Sequence, residues 1–100
     1  FSQKYEPPME DDTRLRRLKF RASHRGTKEA DIMLGGYVEA RAAQLSEDDI
    51  TWLEALMMQQ DVDIMAWILG KQTPPAAFDT AMMRDMQKLD YIQDTMKLGW

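Results

Sequence analysis

Ser46-Glu47-Asp48-Asp49-Ile50-Thr51-Trp52-Leu53-Glu54-Ala55-Leu56-Met57 is the stretch that decides how this chain folds. A serine followed by three acids is the signature of a helix amino terminus. The hydroxyl accepts from a free backbone N–H, and negative charge there is favoured by the helix dipole. Glutamate or glutamine at the third position would complete the usual reciprocal box, so Asp49 predicts a weaker version of it. Beyond the cap, Ile50, Leu53, Leu56 and Met57 recur at the spacing of one helical face. The segment predicts an amphipathic helix with a buried stripe.

The same reading extends in both directions. Asp61 is expected to cap a short fourth helix, Val62 to Leu69, with Gly70 just past its end where a left-handed backbone is common. Ile64, Met65, Trp67, Ile68 and Leu69 make that helix apolar nearly all round, which suits either the centre of a bundle or half of a contact surface. Thr73-Pro74-Pro75 reads as a further cap followed by proline. A last helix is expected from about Pro75 to the mid 90s, using Phe78, Met82, Met86, Leu89 and Ile92. Upstream, Lys28 to Ala42 predicts a helix with Leu34, Tyr37, Val38 and the stem of Arg41 inward, helped by Ile32 or Met33. Ser23 to Thr27 is the break before it, and Asp12 to about Ala22 the first helix, with Leu15, Leu18 and Ala22 on one face.

Residues 1–11, with Pro7-Pro8, read as a flexible leader, 12–96 as the folded domain and 97–100 as a tail. The expected fold class is all-α, a small single-domain bundle of about five helices. Composition agrees: nine methionines, many alanines and leucines and few valines leave little material for a sheet. Most methionines fall at helical core spacing, which favours a core role for them over an interface role.

Several chemistries are excluded. The chain has no cysteine, hence no disulfide, thiolate metal site or cysteine nucleophile. His24 is the single histidine, and no HExxH or zinc spacing accompanies it. As a general base it would need an orienting carboxylate and a nucleophile, and the adjacency of Ser23 is not such a geometry. Asp48-Asp49 and Asp61-Val62-Asp63 are explained by helix amino ends, and the latter pair does not match a calcium loop. Gly35-Gly36 lacks the context of a phosphate loop. Two glycines inside a helix cost about 1 kcal/mol each relative to alanine, so either another backbone packs closely there or the pair belongs to a partner surface. The apolar runs are too short to span a membrane, and nothing at the amino end reads as a signal peptide. No catalytic, cofactor-binding or metal-binding residue is assigned, and the chain is not expected to be an enzyme.

Charge is distributed unevenly. Arg14 to Lys28 holds seven basic residues and no acid, within a chain of formal net charge −4. Such a run fits a solvated face, a phosphate-binding surface or a membrane-surface helix. Against nucleic acid stand the acidic whole, the lack of aromatics in the run apart from Phe20, and the absence of a reading-helix pattern. The run leads into His24-Arg25-Gly26-Thr27-Lys28-Glu29-Ala30-Asp31. Arg25 brings a planar five-donor fork. Gly26 allows a tight turn with close backbone access. Glu29, in the first turn of the next helix, is placed to accept from exposed amides or from Arg25. Asp31 is displayed on another side of the same turn. An ordinary helix start with a local ion pair and a docking surface both fit these residues.

Leu15-Arg16-Arg17-Leu18, the segment His24 to Asp31, and Trp67-Ile68-Leu69-Gly70 followed by Pro74 together resemble the succinate dehydrogenase assembly factor family of the SdhE or Sdh5 type. The resemblance covers roughly residues 14 to 90, and the family's RGxxE signature with a following aspartate stands here as Arg25, Gly26, Glu29 and Asp31. It implies a small helical bundle that binds the flavoprotein subunit of succinate dehydrogenase, and in some bacteria fumarate reductase. It also implies promotion of covalent FAD attachment to a histidine of that subunit. FAD is then the client's cofactor, and the factor holds none stably by itself. The resemblance makes Arg25, Gly26, Glu29 and Asp31 the contact centre, with Arg16 and Arg17 as supporters; His24 is expected, from its place in the loop, to help recognition or to cap the helix end. The chain is expected to be a monomer that binds no nucleic acid and does not insert stably in a membrane, located in the cytoplasm or, in a eukaryote, the mitochondrial matrix. The chain departs from the usual pattern with His24 where arginine is frequent, and with Thr27-Lys28 and Ala30 where methionine and bulkier residues often occur. A helical interaction module for another client, or a basic-patch nucleic-acid module, are the alternative readings.

Overall fold

Five α-helices account for most of the computed structural model, which describes residues 6–92, with side chains from residue 13 onward. They are α1 Glu6–Ser23, α2 Lys28–Arg41, α3 Glu47–Met57, α4 Asp61–Ile68 and α5 Ala81–Gln87. Short 3₁₀ turns lie at Ala42–Gln44 and Ala76–Phe78. There is no strand among the described residues, so the all-α single-domain bundle is the observed class. The expected leader overlaps the start of α1, while residues 1–5 and the expected tail 97–100 lie outside the described residues.

Most of the expected stripe residues meet in one core, with Leu15, Met65, Met82 and Leu89 partly buried against it and Leu69 42% exposed. Leu18 and Ala22 of α1 share one buried cluster with Met33, Leu34, Tyr37 and Val38 of α2, Ile50, Leu53, Leu56 and Met57 of α3 and Ile64, Trp67 and Ile68 of α4. Fully burying one such aliphatic side chain contributes about 1.5–3 kcal/mol, so this cluster is the main source of stability. Met33, Met57, Met83 and Met86 are buried, whereas Met58 is 76% exposed. The core role expected for most methionines therefore holds at those four positions.

α1 packs mainly along α2, and the reason they approach so closely is Gly35. A Cβ there would lie 2.9 Å from the Ser23 Cα, a separation real side chains do not tolerate. Gly36 is different: a Cβ would meet only the Tyr91 ring at 3.7 Å, an ordinary contact. Close backbone packing thus explains the first glycine of the pair and not the second.

At α3 the capping box is complete. The Asp49 N–H donates to Ser46 Oγ at 3.1 Å and the Ser46 N–H donates to the Asp49 carboxylate at 3.0 Å. α4 departs from expectation at its start: Gln60 occupies the cap position without a side-chain bond, and Asp61 is the first helical residue. Its carboxylate is turned elsewhere, as described below. Gly70 ends α4 as expected, with φ +76°.

The last helix differs most. Thr73-Pro74-Pro75 starts no α-helix; a 3₁₀ turn follows, and Thr80 caps α5 by accepting from the Met83 N–H. Phe78 explains the displacement. It sits between Trp52, edge-on at 5.8 Å, and Trp67, stacked at 5.6 Å. The Trp52 indole N–H also donates to the Ala77 carbonyl at 3.2 Å. These contacts hold the 3₁₀ turn in place and delay the helix to Ala81. α5 then stops at Gln87, and Leu89 takes a left-handed conformation, φ 57°. The chain turns there so that Tyr91 reaches α2, where its hydroxyl donates to the Met33 carbonyl at 2.9 Å. Residues beyond 92 in the expected helix lie outside the described ones.

One polar network ties this terminal part to α2. Asp85 accepts from the Arg41 Nε at 2.9 Å and from the Tyr37 hydroxyl at 2.8 Å. The Arg41 guanidinium lies over the Tyr37 ring, 5.4 Å from its centroid. The hydrogen-bonded Arg41 holds the Asp85 carboxyl below its ordinary range, against the opposing effect of burial, and the Tyr37 hydroxyl adds to the lowering. Burial, followed by the Asp85 hydrogen bond, raises the Tyr37 phenol.

Candidate functional site

The turn between α1 and α2 is built by three local devices. Gly26 has φ +113°, a conformation other residues rarely adopt. Thr27 caps α2, its hydroxyl accepting from the Ala30 N–H at 3.2 Å. Asp31 reaches back one turn and its carboxylate accepts from the Arg25 N–H. Glycine supplies the reversal, the Thr27 hydroxyl satisfies an amide that the start of α2 leaves without a partner, and Asp31 satisfies the Arg25 amide of the turn itself. Asp31 is therefore a structural member of the turn.

Arg25 does not pair with Glu29, the nearer acid in sequence. Its Nε and Nη2 donate to one carboxylate oxygen of Asp61 at 2.9 and 2.7 Å, and Nη2 also donates to the Met57 carbonyl at 2.9 Å. The side chain retains only 13% of its exposure. The fork that sequence reasoning assigned to a partner is thus occupied by the corner where α3 ends and α4 begins. Glu29 stands exposed in the first turn of α2, and Gly26, Thr27 and Lys28 are exposed beside it.

His24 is also exposed. Its Nδ1–H donates to the Phe20 carbonyl at 2.8 Å, and its ring stacks on Phe20 with centroids 4.0 Å apart. Ser23 donates its hydroxyl to the Lys19 carbonyl. Each side chain thus caps its own helix end, and the neighbouring serine and histidine do not form a nucleophile–base pair. Phe20 remains 62% exposed, an apolar element of this face.

The basic run is not one open patch. Arg14 makes a two-pronged bond to Glu54, 3.0 and 2.8 Å, and this guanidinium holds the Glu54 carboxyl below its ordinary range. Lys19 stands 4.0 Å from Glu39. Arg16 and Arg17 are exposed on α1, one turn before Phe20. Among the described residues no group of three or more His, Cys, Asp or Glu side chains has the arrangement of a metal site.

With that geometry in view, comparison with known proteins decides the grouping. A family described as "Flavinator of succinate dehydrogenase", Sdh5, matches residues 16–90. This chain belongs to the Sdh5 family. The FAD assembly factor SdhE of Acetobacter pasteurianus is 42% identical over 73 residues, covering 73% of this chain and 67% of that protein. The FAD assembly factor SdhE of Ralstonia nicotianae is 33% identical over 79 residues, covering 79% and 82%. The mitochondrial succinate dehydrogenase assembly factor 2 of Dictyostelium discoideum is 31% identical over 72 residues, covering 72% and 51%.

The span shared with the Sdh5 family begins at Arg16 and so takes in the turn, its Asp31 brace and the α3–α4 corner that receives Arg25. Two surface hollows meet beside the turn, at Asp31 and Ile32. One, of about 590 Å³, is lined by His24, Gly26, Thr27, Lys28, Asp31 and Ile32. The other, of about 420 Å³, runs from Ser23 along Gly35, Gly36 and Ala40 of α2 to Tyr91, with Asp31 and Ile32 at the shared edge. Asp61 and Met57, which hold Arg25, were not singled out as site residues by sequence reading. They lie 36 and 32 positions away from it, and no spacing rule connects residues at that separation.

Proposed function

We propose that this chain is an assembly factor for the flavoprotein subunit of succinate dehydrogenase and promotes covalent attachment of FAD to a histidine of that subunit. The observation that carries the reading is the Arg25-Gly26-x-x-Glu29 turn of an Sdh5 family member, with Glu29, Lys28, His24 and Phe20 exposed around it. The factor acts as a docking body and not as an enzyme. It holds the immature client so that the histidine and the flavin stay aligned, and positioning of this kind contributes large rate factors without a donated chemical group. Gly26 offers backbone at close range, and Glu29 offers a carboxylate beside it. Arg16 and Arg17 supply positive charge along the flank. FAD belongs to the client in this scheme.

The engagement of Arg14, Lys19 and Arg25 by acids of the chain itself supports a protein partner over a phosphate backbone, since those cations are already paired. The test is the covalent flavin content of the flavoprotein subunit expressed with and without this chain, read as in-gel flavin fluorescence at equal client load. A rise that disappears with Glu29→Ala is the expected result. Equal fluorescence with and without the factor, with the client folded and FAD supplied, would overturn the reading.

A further inference from the structure

We propose that Asp61 is a positioning residue for the docking turn, and that Arg25 serves docking through Asp61 and not by reaching into the partner. The proposal rests on the assembly-factor reading above for its consequence, and on the geometry of the α3–α4 corner for its mechanism. The Thr27 cap and the Asp31 brace give the turn its shape, but both lie within the same local segment. The packing of α1 on α2 carries the turn, but none of these ties it to α3 and α4. The Arg25 fork supplies that tie, with four donor contacts to a corner more than thirty residues away.

Each end of the clamp also suits the helix terminus it touches. Met57 is the last residue of α3, where carbonyls lack intrahelical partners and a cation is favoured. Asp61 opens α4, where a carboxylate is favoured. One guanidinium thus joins the negative end of one helix to a carboxylate placed at the positive end of the next. An outside acid would have to displace Asp61 to take the same donors, and only 13% of the Arg25 side chain is open to it.

The experiment is a double-mutant cycle on binding of the purified, FAD-containing flavoprotein subunit, using Arg25→Ala, Asp61→Ala and the double variant of the full chain. Each single change is expected to weaken binding by about tenfold, and the double variant no further than the weaker single, as for two residues acting as one unit. Arg25→Lys, which keeps the charge but not the fork, is expected to restore part of the loss. Wild-type binding by Asp61→Ala alongside loss by Arg25→Ala, or additive losses, would overturn the proposal. Asp61→Asn, which keeps the shape, covers the case in which the alanine variant unfolds. Its amide chemical shifts are read in the free protein: movement at Gly26, Thr27 and Lys28 with Val38 unchanged supports the clamp, and unmoved turn amides refute it. Should wild-type protein not bind the subunit at all, the assembly reading fails, and these shifts still decide whether Asp61 places the turn.

Discussion

Replacing each of the two adjacent glycines of α2 by alanine is expected to raise stability at Gly36 and to leave it unchanged or lower it at Gly35. Alanine is the better helix former, by about 0.8–1 kcal/mol at an interior position. At Gly36 nothing opposes that gain, because the new methyl meets the Tyr91 ring at 3.7 Å. At Gly35 it meets the Ser23 Cα at 2.9 Å and the Ser23 Cβ and Oγ at 3.1 Å. Backbone cannot swing aside as a side-chain tip does, so α1 has to move away from α2 along its main packing line. Overpacking of this kind costs about 1–3 kcal/mol. The propensity gain is common to both variants and cancels in the comparison, which leaves the overpacking term alone. Gly36→Ala should therefore exceed Gly35→Ala by about 1–3 kcal/mol. At roughly 4–8 °C per kcal/mol for a domain of this size, the gap in Tm is at least about 4 °C. Thermal unfolding followed by circular dichroism at 222 nm measures it directly. A Gly35→Ala protein as stable as Gly36→Ala would refute the claim that close backbone approach excludes a side chain at that position.

Two further outcomes follow from the same coordinates. Gly26→Ala forces a side chain into φ +113° and should lower stability by about 1–3 kcal/mol, checked by urea unfolding; an unchanged midpoint would show that the turn relaxes without strain. The carboxyls of Asp85 and Glu54 are held below their ordinary values of 3.8 and 4.5 by Arg41 and Arg14. The unfolded chain therefore binds their protons more readily, and the stability they contribute is present above the ordinary carboxylate range and lost as pH falls through the folded values. Unfolding measured from pH 6 down to pH 3 should show Asp85→Asn less stable than wild type at pH 6 but with a shallower decline in acid. Parallel curves would refute the assignment.

How much of this was open to sequence reading depends on the reach of each interaction. The α3 start was legible because every part of its cap lies within four residues, and Gly70 was legible because a helix end has a local backbone requirement. The stripes of α2 and α3 were legible because periodicity records which face is buried. The start of the last helix was not, since Thr73 and Thr80 offer similar capping chemistry. The choice between them was made by Phe78 seated between Trp52 and Trp67 from two other helices. Likewise the Gly35-Gly36 pair suggested a close approach, yet only the crossing of α1 shows which glycine it concerns.

The candidate site divides along the same line. By itself the sequence determined an all-α chain and the turn with its Arg25, Gly26, Glu29 and Asp31, because these follow from local backbone preference and from the pattern of residue types. Tertiary structure alone decided that the Arg25 guanidinium faces inward to Asp61 and Met57 while Glu29 faces out. A side chain's partner is chosen by what the fold brings within about 3 Å, and neither charge nor spacing along the chain encodes a meeting across thirty-six residues.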